Sequence, residues 1–316
     1  MNKILLATTA LVATAGVASA EVSLSGWAEM GLIGGDAYPT TQFHTGVDVR
    51  FTLSGETDGG LTFGATIDLD EATATQSAPG VAPATANQAT KAAVFISGSF
   101  GTVTMGDTDG ALDWAMQETA IGSSIADDHT EHAGYNGNSV LDGAPNGNVL
   151  RYDNTFGDFG VAVSAQIDGT GSATIDNTFG LGLKYDVALG GLDLGLGLGY
   201  QDNGTNGIVG LSVDTTFANG LRAILNYTDL DSAAVSGLAM DKHVGLGLGY
   251  TSGALTVSAN YGEYSGVYAA HDRDGFGVAV NYDLGGASVQ FGYGSDRSRA
   301  TITSEESWSL GLAMSF

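Results

Sequence analysis

The chain has 316 residues; 43% are hydrophobic, 49 are Gly, 4 are Pro and none is Cys. The missing Cys removes disulfide scaffolds, thiolate metal sites and Cys nucleophiles, and beyond the N-terminus no apolar run is long enough for a spanning helix. Ten Lys+Arg against 35 Asp+Glu give a formal charge of −25, which excludes nucleic acid as a partner, since that needs a basic face, and favours cations.

Residues 1–20 read as a signal peptide. Met1-Asn2-Lys3 is a short positive start, Ile4 to Ala15 is largely apolar, and Ala18-Ser19-Ala20 offers small residues for cleavage before Glu21. Residues 21–316 then form one unit of alternating segments. Glu21 to Ile33 opens it. In Phe43 to Ser54, Val47, Val49, Phe51 and Leu53 point one way and His44, Asp48, Arg50 and Thr52 the other. After the turn Gly55 to Gly60, Leu61 to Asp70 alternates again. Ala72 to Thr90, rich in Ala, Thr and Pro, reads as an exposed loop. Lys91 to Phe100 and Gly101 to Asp107 form a hairpin.

From Asp107 to Gly147 no period is sustained. The segment carries Asp107, Asp109, Asp113, Glu118, Asp127, Asp128, Glu131 and Asp142 and no Lys or Arg. Loops beyond about 15 residues are uncommon unless functional or disordered. Alternation resumes at Asn148 to Asn154, Phe159 to Asp168, Asn177 to Ala188, Leu192 to Asp202, Gly207 to Thr216 and Leu221 to Asp229. Lys242 to Thr251, Ala254 to Tyr264, Asp274 to Leu284, Ala287 to Asp296 and Trp308 to Phe316 complete the chain.

These are about sixteen strands near the length needed to cross an outer membrane at a tilt. Tight turns such as Asn219-Gly220 and Gly285-Gly286 alternate with long or polar connections, the rhythm of an up-and-down barrel. A soluble sandwich would also alternate. Three features favour the membrane: the signal peptide, Tyr near strand ends (Tyr152, Tyr200, Tyr227, Tyr250, Tyr282 and Tyr293), and a terminal Phe316 in phase with Leu310, Leu312 and Met314. Closure also leaves no open strand edge in lipid. The expected fold is an all-β, transmembrane, 16-stranded antiparallel barrel, with the loop at about 107–147 folded into its lumen. On this parity His44, Asp48, Arg50, Asp68, Arg151 and Asp153 face inward.

The chain resembles the trimeric general porins of Gram-negative outer membranes, most closely the alphaproteobacterial type. The resemblance rests on Glu21-Val-Ser-Leu-Ser-Gly26, Arg50-Phe-Thr-Leu-Ser-Gly-Glu56, Phe100-Gly-Thr-Val-Thr-Met-Gly106, Arg151-Tyr-Asp-Asn154 with Phe156 and Gly157, and Phe316. It implies a homotrimer in contact with outer-membrane lipid and lipopolysaccharide, passing small hydrophilic solutes and cations. It also implies a third outer loop that narrows the pore, with acidic loop residues set against arginines on the wall. Arg50 falls on one such wall position. Asp107 and Asp153 stand where enteric members often have Arg, which implies a more uniformly negative constriction. The expected pore residues are therefore Arg50, Asp107, Asp109, Asp113, Glu118, Asp127, Asp128, Glu131, Arg151 and Asp153.

Asp127-Asp-His-Thr-Glu-His132 brings oxygens and imidazoles close together. Asp127, Asp128 and Glu131 are weak Ca²⁺ candidates, but the spacing is neither an EF-hand nor a His-Glu-x-x-His site. Otherwise no cofactor is expected. The inner glycines of Leu194 to Tyr200 and Leu246 to Tyr250 leave the lumen wide or admit another backbone. Rival readings are a secreted Gly/Asp-rich adhesin or Ca²⁺-binding β-solenoid, an outer-membrane hydrolase and a plugged barrel. A solenoid would show a short fixed repeat, which is absent. None of His44, His129, His132, His243 and His271 stands in a nucleophile motif, so no enzyme is expected.

Overall fold

The computed structural model describes residues 21–36, 38–71, 90–126, 132–142, 148–167, 177–235, 237–298 and 303–316. The first strands are β1 (Glu21–Gly35), β2 (Tyr38–Glu56), β3 (Thr62–Glu71), β4 (Thr90–Gly98) and β5 (Gly101–Gly106). After a short helix α1 (Ala111–Ala115) come β6 (Val149–Phe156), β7 (Phe159–Gln166), β8 (Thr178–Ala188), β9 (Leu192–Asp202), β10 (Gly207–Phe217) and β11 (Leu221–Asp229). The last are β12 (Ala234–Val235), β13 (Leu238–Ser252), β14 (Leu255–Gly266), β15 (Arg273–Asp283), β16 (Ala287–Ser298) and β17 (Thr303–Ser315).

Among the described residues, every strand except β12 pairs antiparallel with its neighbours, and β17 pairs back onto β1 from Trp27↔Ser315 to Gly35↔Ser307. The result is a closed barrel of sixteen staves. β12 is a two-residue segment of a loop, paired only to the start of β13. The seam is completed by the Phe316 N–H donating to Gly26 O at 2.9 Å and the Gly26 N–H donating to Phe316 O at 3.3 Å. The first hairpin is longer than the periodicity predicts: β1 and β2 stay paired to Gly35↔Tyr38, through polar residues that alternation does not mark.

Closure pairs the backbone without any open edge, which is what hydrocarbon requires. The outward face is apolar. Leu24, Phe43, Val94, Leu150, Phe179, Leu211, Leu246 and Leu310 are all exposed on the isolated chain, as a lipid-facing band must be. The expected parity holds, with Leu150 outward and its neighbour Arg151 inward. One rim carries tight turns. At Gly285-Gly286 both φ values are positive (78° and 85°), and the Leu284 N–H closes the turn onto Ala287 O at 2.8 Å. Paired positive φ gives the two-residue turn whose twist matches the flanking strands, and glycine adopts it without penalty.

The loop after β5 enters the lumen and runs along the inner wall of β7 to β17 and β1. Its outgoing limb is held by N–H donors to wall side chains: Ala111 to Ser164 Oγ (2.9 Å), Gln117 to Ser212 Oγ (2.9 Å) and Gly122 to Ser258 Oγ (3.0 Å). Further on, Ser123 donates to Asn281 Oδ1 (3.0 Å) and Ala126 to Glu29 Oε1 (3.1 Å). The returning limb lies nearer the long-loop rim. There Ala133 donates to Asp296 Oδ1 (2.6 Å), Tyr264 OH donates to Tyr135 O (3.2 Å), and the Leu141 N–H donates to Gln201 Oε1 (3.1 Å). These bonds satisfy loop backbone that would otherwise be buried unpaired.

The inner glycines are the seat of this loop. A Cβ built on Gly182 would stand 2.1 Å from Ala111 O, on Gly197 2.1 Å from Ala115 O, and on Gly247 2.1 Å from Thr119 O. Gly199 admits Leu112, and Gly31 with Gly311 admits Ile125. Of the two uses expected for these glycines, the close approach of a second backbone is the one realised.

Candidate functional site

The loop occupies one side of the lumen, and the walls of β2 to β4 stand opposite its base. Between them lies a cavity of about 390 Å³ lined by Arg50, Asp68, Lys91, Asp107, Asp109, Asp113 and Asp142, with small neutral neighbours. Three of the charges come from one transverse row of the wall, where Arg50 on β2 pairs with Asp68 on β3 and Asp68 with Lys91 on β4. Cross-strand neighbours on one face interact directly. The Arg50 guanidinium donates to Asp68 Oδ2 through Nη2 and through Nε (3.1 Å), yet its side chain remains 56% exposed and reaches into the lumen.

The facing carboxylates belong to the loop. Asp107 leaves β5 with its N–H donating to Ala92 O at 2.9 Å. Asp107 and Asp109 are exposed to the lumen. Asp113 lies on α1 and is half-buried. Burial, reinforced by Asp109, Asp142 and Glu118, pushes its carboxyl up to about 8, against a small opposing pull from Arg151. Asp142 is also raised, to about 6, mainly by burial; the Gly110 N–H opposes this by donating to Oδ2 at 2.7 Å. The amides of Gln166 and Gln201 donate to its Oδ1 at 3.0 and 2.5 Å. Asp142 therefore ties the loop's two ends together and to β7 and β9.

Arg50, Asp107, Asp109 and Asp113 line one cavity. Arg151 and Asp153 lie beside the base of the loop. They pair at 3.0 Å, and Arg151 Nη1 donates to Asp109 O at 2.7 Å, so Arg151 braces the loop from its own side. Glu118 faces a second cavity, described below, where the Tyr135 hydroxyl donates to it. Asp127, Asp128 and Glu131, and with them the candidate Ca²⁺ ligands, lie outside the described residues, as do residues 1–20. Lys91 was not among the expected pore residues. Parity alone places it inward, because Val94 and Ile96 on the same strand are exposed to the outside. Alternation marks Asp68 as inward-facing and the sequence places Asp142 in the loop, but their place in the cavity follows from strand register and loop return.

The family model for Gram-negative porins matches residues 7–301. A porin of Rhodobacter capsulatus is 29% identical over 298 residues, covering 85% of this chain and 91% of the relative. In fold, a porin refined at 1.8 Å resolution superposes with a TM-score of 0.71 at 24% identity, covering 94% of this chain and 100% of the other. A triple mutant of Rhodopseudomonas blastica porin gives 0.65 at 22% identity over the same shares. A family match across nearly the whole sequence joins a closed barrel with a loop in its lumen: this chain belongs to the Gram-negative porins and forms a channel in the outer membrane.

Proposed function

We propose that the channel is a passive, cation-preferring pore for small hydrophilic solutes, and that the charged cavity between the β2–β4 wall and the loop is its constriction. The observation that carries this reading is the make-up of that cavity: four loop carboxyls, of Asp107, Asp109, Asp113 and Asp142, and Asp68 in the wall row stand against the two cations of Arg50 and Lys91, with Asp142 and Asp113 adding charge as pH rises through about 6 and about 8. Acidic linings favour cations in a pore, and the chain's formal charge of −25 adds a long-range attraction that salt weakens. Solutes cross by diffusion through water, without cofactor or energy source. The loop limits their size. Both cations stand on the wall, with Asp68 between them, and the other four carboxyls stand on the loop, so a polar solute is oriented as it passes.

The porin family supports a homotrimer as the working assembly, with lipid and lipopolysaccharide around it. The N-terminal pattern supports export with removal of residues 1–20. The test of selectivity is the reversal potential of the purified mature protein in planar bilayers under a KCl gradient. A potential of cationic sign is expected; an anionic sign, or none, would overturn the cation preference.

A further inference from the structure

A second cavity, of about 510 Å³, opens toward the long-loop rim between the returning limb, β12 and the start of β15. Among the described residues its lining includes one arginine, Arg273, one carboxylate, Glu118, and the buried imidazole of His132. The other described arginines, Arg50, Arg151, Arg222 and Arg297, each pair with an aspartate. Arg273 has no such ion pair among the described residues. Its guanidinium stacks over the Tyr264 ring, 4.6 Å from the centroid, which holds its plane, and its Nε is buried without an acceptor. The nearby Asp296 carboxylate is engaged by the Ala133 N–H. Glu118 is exposed, and the Tyr135 hydroxyl donates to it. A guanidinium that hydrogen-bonds Tyr264 but has no carboxylate ion pair among the described residues, and a solvated carboxylate, thus line one cavity without bridging each other.

We propose that this cavity is a vestibular binding site for zwitterionic solutes, α-amino acids or short peptides, with Arg273 taking the carboxylate and Glu118 the ammonium group. The chemistry fits both ends. A guanidinium recognises a carboxylate with two parallel N–H donors, and an ammonium group supplies three donors to an acceptor-only carboxylate. The volume lies in the range of small-molecule pockets. The polar Asn136 and Ser139 and the apolar Val140, Ala234 and Val235 add to the lining. A zwitterion satisfies both charges with no net charge of its own, so the acidic field of the pore does not repel it. The site rests on the channel reading: bound solute is handed on toward the constriction.

The test is entry of labelled dialanine into proteoliposomes holding the purified protein, with labelled arabinose as the uncharged reference for each variant. Dialanine entry is expected to saturate with concentration, while arabinose entry stays linear. N-acetyl-dialanine and dialanine amide, each lacking one charge, are expected to show no saturation in the same range. Arg273→Gln and Glu118→Gln should each raise the half-saturating concentration by roughly tenfold or more, the size of one lost charge-assisted hydrogen bond. Arg273→Lys, which keeps the charge without the fork, should fall between. Linear dialanine entry in the unaltered protein, or saturation unchanged in Arg273→Gln, overturns the site. If Arg273→Gln fails to fold, Glu118→Gln on the loop decides alone, and unchanged saturation there overturns it equally. Absence of arabinose entry would instead strike at the channel reading itself.

Discussion

Gly134 on the loop and Gly262 on β14 touch backbone to backbone: a Cβ on either residue would stand 2.0 Å from the other's carbonyl oxygen. No side chain fits between them. Gly262→Ala is therefore expected to push the returning limb off the wall, because inserting a methyl into a filled contact costs roughly 1–3 kcal/mol. The sixteen-stave barrel should survive, since its ladder is untouched. The measurable result is faster proteolysis between residues 107 and 147 and a changed single-channel conductance. Gly59→Ala is the control: its Cβ would meet nothing nearer than Thr57 Oγ1 at 3.9 Å. Equal protease resistance in the two variants would refute the tight seat.

Asn281 grips the outgoing limb by both ends of its amide, accepting from the Ser123 N–H at 3.0 Å and donating to Ser123 O at 2.6 Å. Asn281→Ala removes both bonds, each worth about 1 kcal/mol. The expected phenotype is loop loosening without loss of the barrel: increased current noise, with the heat resistance of the folded species retained. A quiet channel with unaltered noise would show that the neighbouring bonds suffice.

The two raised carboxyls predict a pH dependence with a definite sign. Asp113 at about 8 and Asp142 at about 6 both lie above the ordinary 3.8, chiefly through burial. Each takes up a proton more readily in the folded loop than in an unfolded chain. Their contribution to stability is thus full below about 3.8, and is lost as pH rises through about 6 for Asp142 and about 8 for Asp113. The charge in the cavity changes in the opposite sense. Cation preference, read as reversal potential, should grow between pH 5 and pH 9, and the upper part of that rise should vanish in Asp113→Asn. A flat profile in the unaltered channel would contradict the placement of these groups at the constriction.

Arg50 supplies an exposed positive charge of the wall row, its side chain 56% exposed. Arg50→Ala should raise cation permeability by up to about fivefold, the effect of a unit charge about 4 Å from an ion in water, and lower anion permeability, so the cation-to-anion ratio rises. The gain should shrink as salt is raised. A fall in the ratio would place the ion path elsewhere.

How much of this is legible in the residues varies with the physics that sets each feature. The staves are legible because period-two alternation follows directly from the strand's geometry: Val47 to Leu53, for example, marks β2 and its outward face. The loop's membership of the lumen is half legible. The acidic run beginning at Asp107 marks it as unusual, while its path is written in glycines of distant strands, Gly182, Gly197 and Gly247, whose partners only the fold reveals. The five-residue helix α1 is not legible, because it is too short for a period and is held by Leu112 against Gly199. Parity turns Lys91 inward, and register sets it beside Asp68 in the row opposite the loop. Arg151 faces inward as its parity requires, but which side of the gap it serves depends on its bond to Asp109 O.

The bonds between Gly26 and Phe316 join residues from opposite ends of the polypeptide. The hoop cannot be locked until its final stave has left the ribosome and met the first, so assembly has to wait for the whole stretch in between. Until that moment both free margins invite pairing with other chains.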